Sequence, residues 1–204
     1  MRIALFGGTF DPPHRGHIAV AKAAADTFQL DTVLFAPAGR QPLKPNSSGA
    51  EYADRLHMVQ LAVQSDPRFA TCTLDEPRAD GSANYTVDTL ATLDADLNPG
   101  DHLFCITGVD AFLDLPRWRE PERLLTLAEW IVVSRPGFSM ESLVRLTLLP
   151  PQFARVHLLE TVHQDVAATQ LRQAQAAGEN VDADLAPGVG PYIRKQHLYT
   201  QTAK

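Results

Sequence analysis

Cysteine, positive charge and long apolar runs are all scarce in this chain. Only two of its 204 residues are cysteines, Cys72 and Cys105, and their spacing fits neither a zinc motif nor a disulfide framework, so reduced thiols are expected. Lysine and arginine number 18 against 24 aspartates and glutamates, a formal net charge of −6. That balance argues against a broad nucleic-acid surface, and an anionic substrate must then be held by a local cluster of cations and backbone amides. No apolar run reaches membrane length. The first residues enter a strand without the basic stretch, apolar core or cleavage site of a secretion signal. These absences predict a cytoplasmic protein that engages neither membrane nor nucleic acid. There is no internal repeat, no low-complexity segment and no carboxylate cluster that would cage a metal ion. At 45% hydrophobic, the chain can bury a full core as one domain spanning 1–204, with a small helical C-terminal part from about 165 to 204.

Strand and helix patterns alternate along the chain, which predicts parallel βαβ units. Strands are expected at 3–6, 32–36, 71–74, 103–107, 130–134 and 156–159. Helical spacing marks 18–28, 52–64 (through Leu56, Val59, Leu61 and Val63), 87–97 (through Val87, Leu90, Leu93 and Leu97) and 121–127. The order predicts an α/β fold with a doubly wound, Rossmann-like parallel sheet whose ligands lie at the carboxyl ends of the strands, near the point where strand order reverses.

The segment with the strongest chemical signal lies between the first strand and the first helix: Gly7-Gly8-Thr9-Phe10-Asp11-Pro12-Pro13-His14-Arg15-Gly16-His17. The glycines let backbone amides approach an anion, and the helix that follows points its free N–H groups and positive dipole end toward a phosphate. His14 and His17 add two imidazoles three residues apart. The segment resembles the H-x-G-H nucleotidyltransferase superfamily and, within it, the bacterial nicotinate mononucleotide adenylyltransferases, whose opening is similar to GGTFDPxHxGH.

Further segments match that family in order, from Arg2 to Tyr199. Pro37-Ala38-Gly39-Arg40-Gln41-Pro42-Leu43-Lys44-Pro45 is too rich in proline for a helix or a central strand. It resembles the family's substrate and phosphate loop, with Lys44 on the basic position. Leu43 stands where the family has histidine, and Arg40 is a candidate to replace that donor. Asn84-Tyr85-Thr86-Val87-Asp88-Thr89-Leu90 resembles a Y-T-x-x-T-L box, in which Thr86 either caps a helix or receives the nicotinate carboxylate. Gly108-Val109-Asp110 matches a G-x-D that binds adenosine, although Asp110 also suits a helix cap. Trp118 matches a tryptophan that stacks on the pyridine ring, or else it is partly buried core. Arg135 matches a position near the adenine and triphosphate, or is a surface cation at a strand end. Asp165-Val166-Ala167-Ala168-Thr169-Gln170-Leu171-Arg172 resembles I-S-S-T-x-I-R, which opens a helix onto the ATP phosphates. Both serine positions are alanine here, Asp165 is the expected cap, and Thr169 and Arg172 remain. The tail from Leu185 to Tyr199 resembles the family's ending and reads as structural.

The resemblance implies adenylyl transfer from ATP to nicotinate mononucleotide, giving nicotinate adenine dinucleotide and pyrophosphate in NAD biosynthesis. It implies catalytic roles for His14, His17, Lys44 and Arg172. ATP would be bound by Gly7, Gly8, Thr9, Phe10, His17, Gly108, Asp110, Arg135, Thr169 and Arg172, and the acceptor by Gly39, Lys44, Tyr85, Thr86 and Trp118. Mg²⁺ would arrive with ATP, with no protein metal site. Nicotinamide mononucleotide or another phosphorylated acceptor is an alternative; the phosphopantetheine enzymes are shorter and lack the Y-T-x-x-T-L and Trp118 features. A non-catalytic nucleotide sensor is a second alternative, opposed by retention of both histidines, Lys44 and Arg172. A hydrolase using His14 and His17 as metal ligands lacks an accompanying carboxylate at metal-motif spacing. Oligomeric state is not legible in the sequence.

Overall fold

The structure is a computed structural model that describes residues 1–40, 49–134, 143, 152, 154–160 and 166–200. Its strands are β1 (Arg2–Gly8), β2 (Thr32–Pro37), β3 (Phe69–Thr71), β4 (His102–Gly108), β5 (Glu129–Val133) and β6 (Val156–Leu159). They form one sheet in the order β3-β2-β1-β4-β5-β6, parallel throughout. The helices are α1 (Arg15–Thr27), α2 (Tyr52–Ala62), α3 (Thr86–Ala95), α4 (Val109–Leu113), α5 (Pro121–Leu127), α6 (Ala168–Ala176) and α7 (Val189–Lys195).

Helices cover both faces of the sheet, which is why its strands read as continuous apolar runs rather than as alternating ones. Alternate side chains still part to opposite faces. Ala4, Phe6, Phe35 and Phe104 join one cluster with residues of α1, α2, α6 and α7. Leu5, Ala36, Cys105 and Trp130 join the other with residues of α3, α4 and α5. The C-terminal helices thus share the first cluster, through Leu171, Val189 and Ile193.

Helix α1 lays its small residues Ala21, Ala24 and Ala25 on the sheet with Ile18. It stops where Gln29 turns left-handed at φ 50°. There Leu30 N–H reaches back to Ala25 O at 3.0 Å, a Schellman closure.

Two expectations shift. The third strand is Phe69–Thr71 rather than 71–74. The chain leaves the sheet at Cys72, whose N–H still donates to Phe35 O at 2.8 Å, and it then turns so that Glu76 N–H reaches Thr73 O at 3.0 Å. In α2 the buried face is Arg55, Met58, Val59 and Ala62, not the face through Leu56, Leu61 and Val63. A buried arginine occupies a place that hydrophobic spacing alone assigns to an apolar side chain.

Candidate active site

Strands β1 and β4 are neighbours whose connections leave in opposite directions, β1 through α1 to β2 and β4 through α4 and α5 to β5. Such a switch point opens a crevice at the carboxyl end of the sheet. Gly7 and Gly8 from β1 and Thr107 and Gly108 from β4 line a cavity there of about 510 Å³. A Cβ added to Gly7 or Gly108 would meet nothing within 4 Å, so these two glycines keep the crevice open rather than satisfy packing. Gly8 is different: its Cβ would come within 3.1 Å of the Phe10 ring. Phe10 is held at φ 50°, a costly conformation for an aromatic residue. Burial of its ring 5.6 Å from both Phe6 and Phe35 offsets that cost.

His14 is the N-cap residue of α1, and its backbone N–H donates to His17 Nδ1 at 3.1 Å. With Nδ1 accepting, neutral His17 carries its proton on Nε2. The two rings stack at 3.7 Å between centroids, and the Phe10 ring packs 4.9 Å from His17. Burial, reinforced by His14, holds His17 well below the ordinary histidine range. Burial also pushes His14 down to about 4, against the pull of Asp184. Near pH 7 the pair is therefore neutral, a hydrogen-bonding site and not a cationic one. His14 Nδ1 is buried with no hydrogen-bond partner among the described residues.

Behind the histidines lies a buried carboxylate, Asp11, that joins four parts of the chain. It accepts from the N–H groups of Gly49 and Ala50 and, at 2.6 Å, from the phenol of Tyr199. Arg172 lies 3.6 Å from the same carboxylate and donates to the Asp11 carbonyl at 2.7 Å. Its other terminal nitrogen reaches Thr169 Oγ1 at 3.4 Å. Arg55, only 2% exposed, donates to Thr9 O at 2.8 Å and to Ala50 O at 3.3 Å. Two guanidiniums thus surround one carboxylate beneath the glycine turn, an arrangement with positive charge left over for a phosphate. Ala167 is the N-cap residue of α6 and makes no side-chain cap bond, so the cap expected from Asp165 belongs two residues later.

On the other side of the Gly7–Gly8 turn, the cavity is walled by Tyr85, Thr86, Asp110, Trp118 and Arg119. Tyr85 is the N-cap residue of α3 and Thr86 its first helical residue, so Thr86 does not cap the helix. Asp110 likewise lies inside α4, whose N-cap residue is Gly108. Trp118 meets buried Trp130 edge-on at 5.9 Å while still lining the cavity, so it packs on the core and borders the crevice at once. Arg119 sits 4.7 Å over the Tyr85 ring. Gly39 has no room for a side chain, since a Cβ would fall 2.5 Å from Pro77 N. Its N–H donates to Asp75 O at 2.6 Å, and Asn84 secures the same turn through Arg40 N–H at 3.0 Å. The Arg40 guanidinium donates to Gly81 O at 2.6 Å.

The residues expected from the sequence thus form two groupings that share the glycine turn: His14, His17, Thr169 and Arg172 on the α1 side, and Tyr85, Thr86, Asp110 and Trp118 on the α3 side. Leu43, Lys44, Arg135 and Asp165 lie outside the described residues. Asp11, Arg55 and Tyr199 carried no assigned role. Asp11 stood inside the glycine-rich motif, and Arg55 stood three and four residues before Met58 and Val59, on the buried stripe of α2. Nothing local marks Tyr199, because its partner is 188 residues away.

Comparison with known proteins agrees with this geometry. Residues 5–184 match the family described as cytidylyltransferase-like. A protein of Solibacter usitatus is 37% identical over 199 residues, covering 98% of this chain and 100% of its own length. One of Synechococcus sp. (strain JA-2-3B'a(2-13)) is 40% identical over 200 residues, covering 98% of each. Both are named probable nicotinate-nucleotide adenylyltransferase. Among solved structures, the Plasmodium falciparum nicotinic acid mononucleotide adenylyltransferase complexed with NaAD superposes with a TM-score of 0.74 at 20% identity, covering 97% of both chains. At that identity the likeness speaks for the fold.

Proposed function

From the premise that this chain belongs to the cytidylyltransferase-like family, we propose that it transfers the adenylyl group of ATP to nicotinate mononucleotide, releasing pyrophosphate and forming nicotinate adenine dinucleotide for NAD biosynthesis. Full-length identity to relatives bearing that name supports the reaction. The single structural observation that carries the reading is the bond from His14 N–H to His17 Nδ1 at 3.1 Å, which leaves Nε2 of His17 as the donor at the end of the glycine turn.

In this reading the acceptor's phosphate oxygen attacks the α-phosphorus of ATP in line, a P–O bond forms, and the bond to pyrophosphate breaks. No protein nucleophile takes part. Catalysis is positioning plus stabilisation of charge on the phosphate oxygens. Gly7, Gly8, Thr9 and Phe10 present backbone to the triphosphate, with Gly108 and Asp110 toward the adenosine. His14 and His17 donate to the reacting phosphate, Thr169, Arg172 and Arg135 hold the rest of the triphosphate, and Lys44 serves the reacting phosphate from the acceptor's side. Gly39, Tyr85, Thr86 and Trp118 hold the acceptor, the indole on its ring and the α3 amides on its carboxylate. Thr86 suits that role because it does not cap the helix, and Arg119 adds positive charge close by. ATP enters as its Mg²⁺ complex, the ion drawing charge from the phosphates. The donors around the glycine turn are amides, imidazoles and guanidiniums, a set suited to the phosphate oxygens rather than to a bare cation.

The test is pyrophosphate release from ATP and Mg²⁺ with a panel of acceptors: nicotinate mononucleotide, nicotinamide mononucleotide and phosphopantetheine. Release with nicotinate mononucleotide above the others supports the assignment. Binding of ATP without release would make the protein a sensor, and orthophosphate would make it a hydrolase.

A further inference from the structure

We propose that Tyr199, at the far end of the chain, is a positioning residue of the ATP site: its phenol holds the Asp11 carboxylate so that the Arg172 guanidinium faces the triphosphate. The inference rests on the adenylyl-transfer reading above and assigns a role to a tail that the sequence marks only as structural.

Asp11 is 1% exposed, so each oxygen depends on protein donors. Oδ1 takes the Tyr199 hydroxyl at 2.6 Å and Ala50 N–H at 3.1 Å. Oδ2 takes Gly49 N–H. With those donors in place, Arg172 stands at 3.6 Å from Oδ2, an ion pair rather than a hydrogen bond, and gives its short bond to the Asp11 backbone carbonyl instead. The carboxylate therefore orients the guanidinium without consuming its fork. The packing is built to match, because a Cβ on Gly49 would lie 3.0 Å from Arg172 Cδ and 3.3 Å from the Tyr199 ring.

Backbone conformation at the tail gives independent support. His197 at φ 52° and Tyr199 at φ 59° are both left-handed. The first closes α7, with Leu198 N–H on Ile193 O at 3.0 Å and His197 N–H on Arg194 O at 3.3 Å, a Schellman cap. Among the described residues no such motif accompanies the second. Tyr199 holds an unfavourable conformation at the residue whose hydroxyl reaches Asp11.

Removing that hydroxyl leaves Oδ1 short of a donor in a buried site. Arg55 gives its donors to Thr9 O and Ala50 O, so the cation that can compensate is Arg172, 3.6 Å from Oδ2, drawn toward the carboxylate and away from the phosphates. Tyr199→Phe keeps the ring and its packing, so its effect isolates the hydroxyl. Calorimetric titration with ATP and Mg²⁺ is expected to show Kd raised about fivefold, the worth of one hydrogen bond, with the KM for nicotinate mononucleotide unchanged. In an Arg172→Ala background the same substitution should add nothing to the ATP Kd. An unchanged ATP Kd, a parallel rise in the acceptor KM, or an equal effect with and without Arg172 would overturn the proposal. Wild-type pyrophosphate release is run alongside: its absence would sink the adenylyl-transfer reading, whereas normal release with an inert Tyr199→Phe sinks only this inference.

Discussion

Acid should unfold this protein partly through His14, and the size of that effect can be worked from its surroundings. His14 is held at about 4 in the fold against an ordinary 6.5, chiefly by burial. Between those values the unfolded chain binds a proton that the folded chain refuses. The stabilisation is thus present above pH 6.5 and is lost as pH falls toward 4. Each pH unit inside the window costs about 1.4 kcal/mol, and the whole gap is on the order of 3 kcal/mol. His14→Gln removes the titrating group and keeps a polar side chain. Urea unfolding of both proteins at pH 7, 6 and 5 then isolates the linkage, because contributions from the remaining acids and bases largely cancel in the difference. Wild-type stability should fall relative to the variant by about 2 kcal/mol between pH 7 and pH 5. Parallel pH dependences would mean that His14 titrates normally in the fold. In that case burial would not set the charge of His14, and the lowered pKa assigned to it would be wrong.

Other substitutions test the site piece by piece. His17→Ala should lower kcat by about 10² to 10³, the usual cost of one preorganised donor, with thermal melting showing whether the fold is kept. Trp118→Ala should raise the KM for nicotinate mononucleotide well above any change in the ATP KM, and it should also lower Tm, because the indole packs edge-on against Trp130. Ala167→Ser gives α6 the side-chain cap it lacks, worth about 1 kcal/mol. Tm should rise and the ATP Kd should hold or tighten, and a severe loss of ATP binding would show that α6 does not face the triphosphate.

Most of the architecture was legible because a doubly wound sheet writes itself locally. The apolar runs at β1, β4 and β5 are buried on both faces and stand out as unbroken stretches, and α5 and β6 fall where their composition places them. The third strand slipped because Thr71 and Cys72 suit a strand equally well, and only the hydrogen bond from Cys72 to Phe35 shows where the sheet ends. The HxGH turn was legible as a motif. Its protonation state was not, since that follows from burial by Phe6, Phe10 and each other's rings. Asp11 and Arg55 escaped because the rule that places apolar residues inside gives no warning of a buried charge whose partners lie elsewhere in the chain. Tyr199 is the extreme case, legible only once the tail is folded over the glycine turn.

Adenylyl transfer itself is tested by following a label in the α-phosphate of ATP during incubation with Mg²⁺ and nicotinate mononucleotide. The geometry predicts that the label moves into the dinucleotide, one equivalent for each pyrophosphate released. Label recovered as AMP, or ATP left intact at protein concentrations that bind it, would contradict the function assigned to this site.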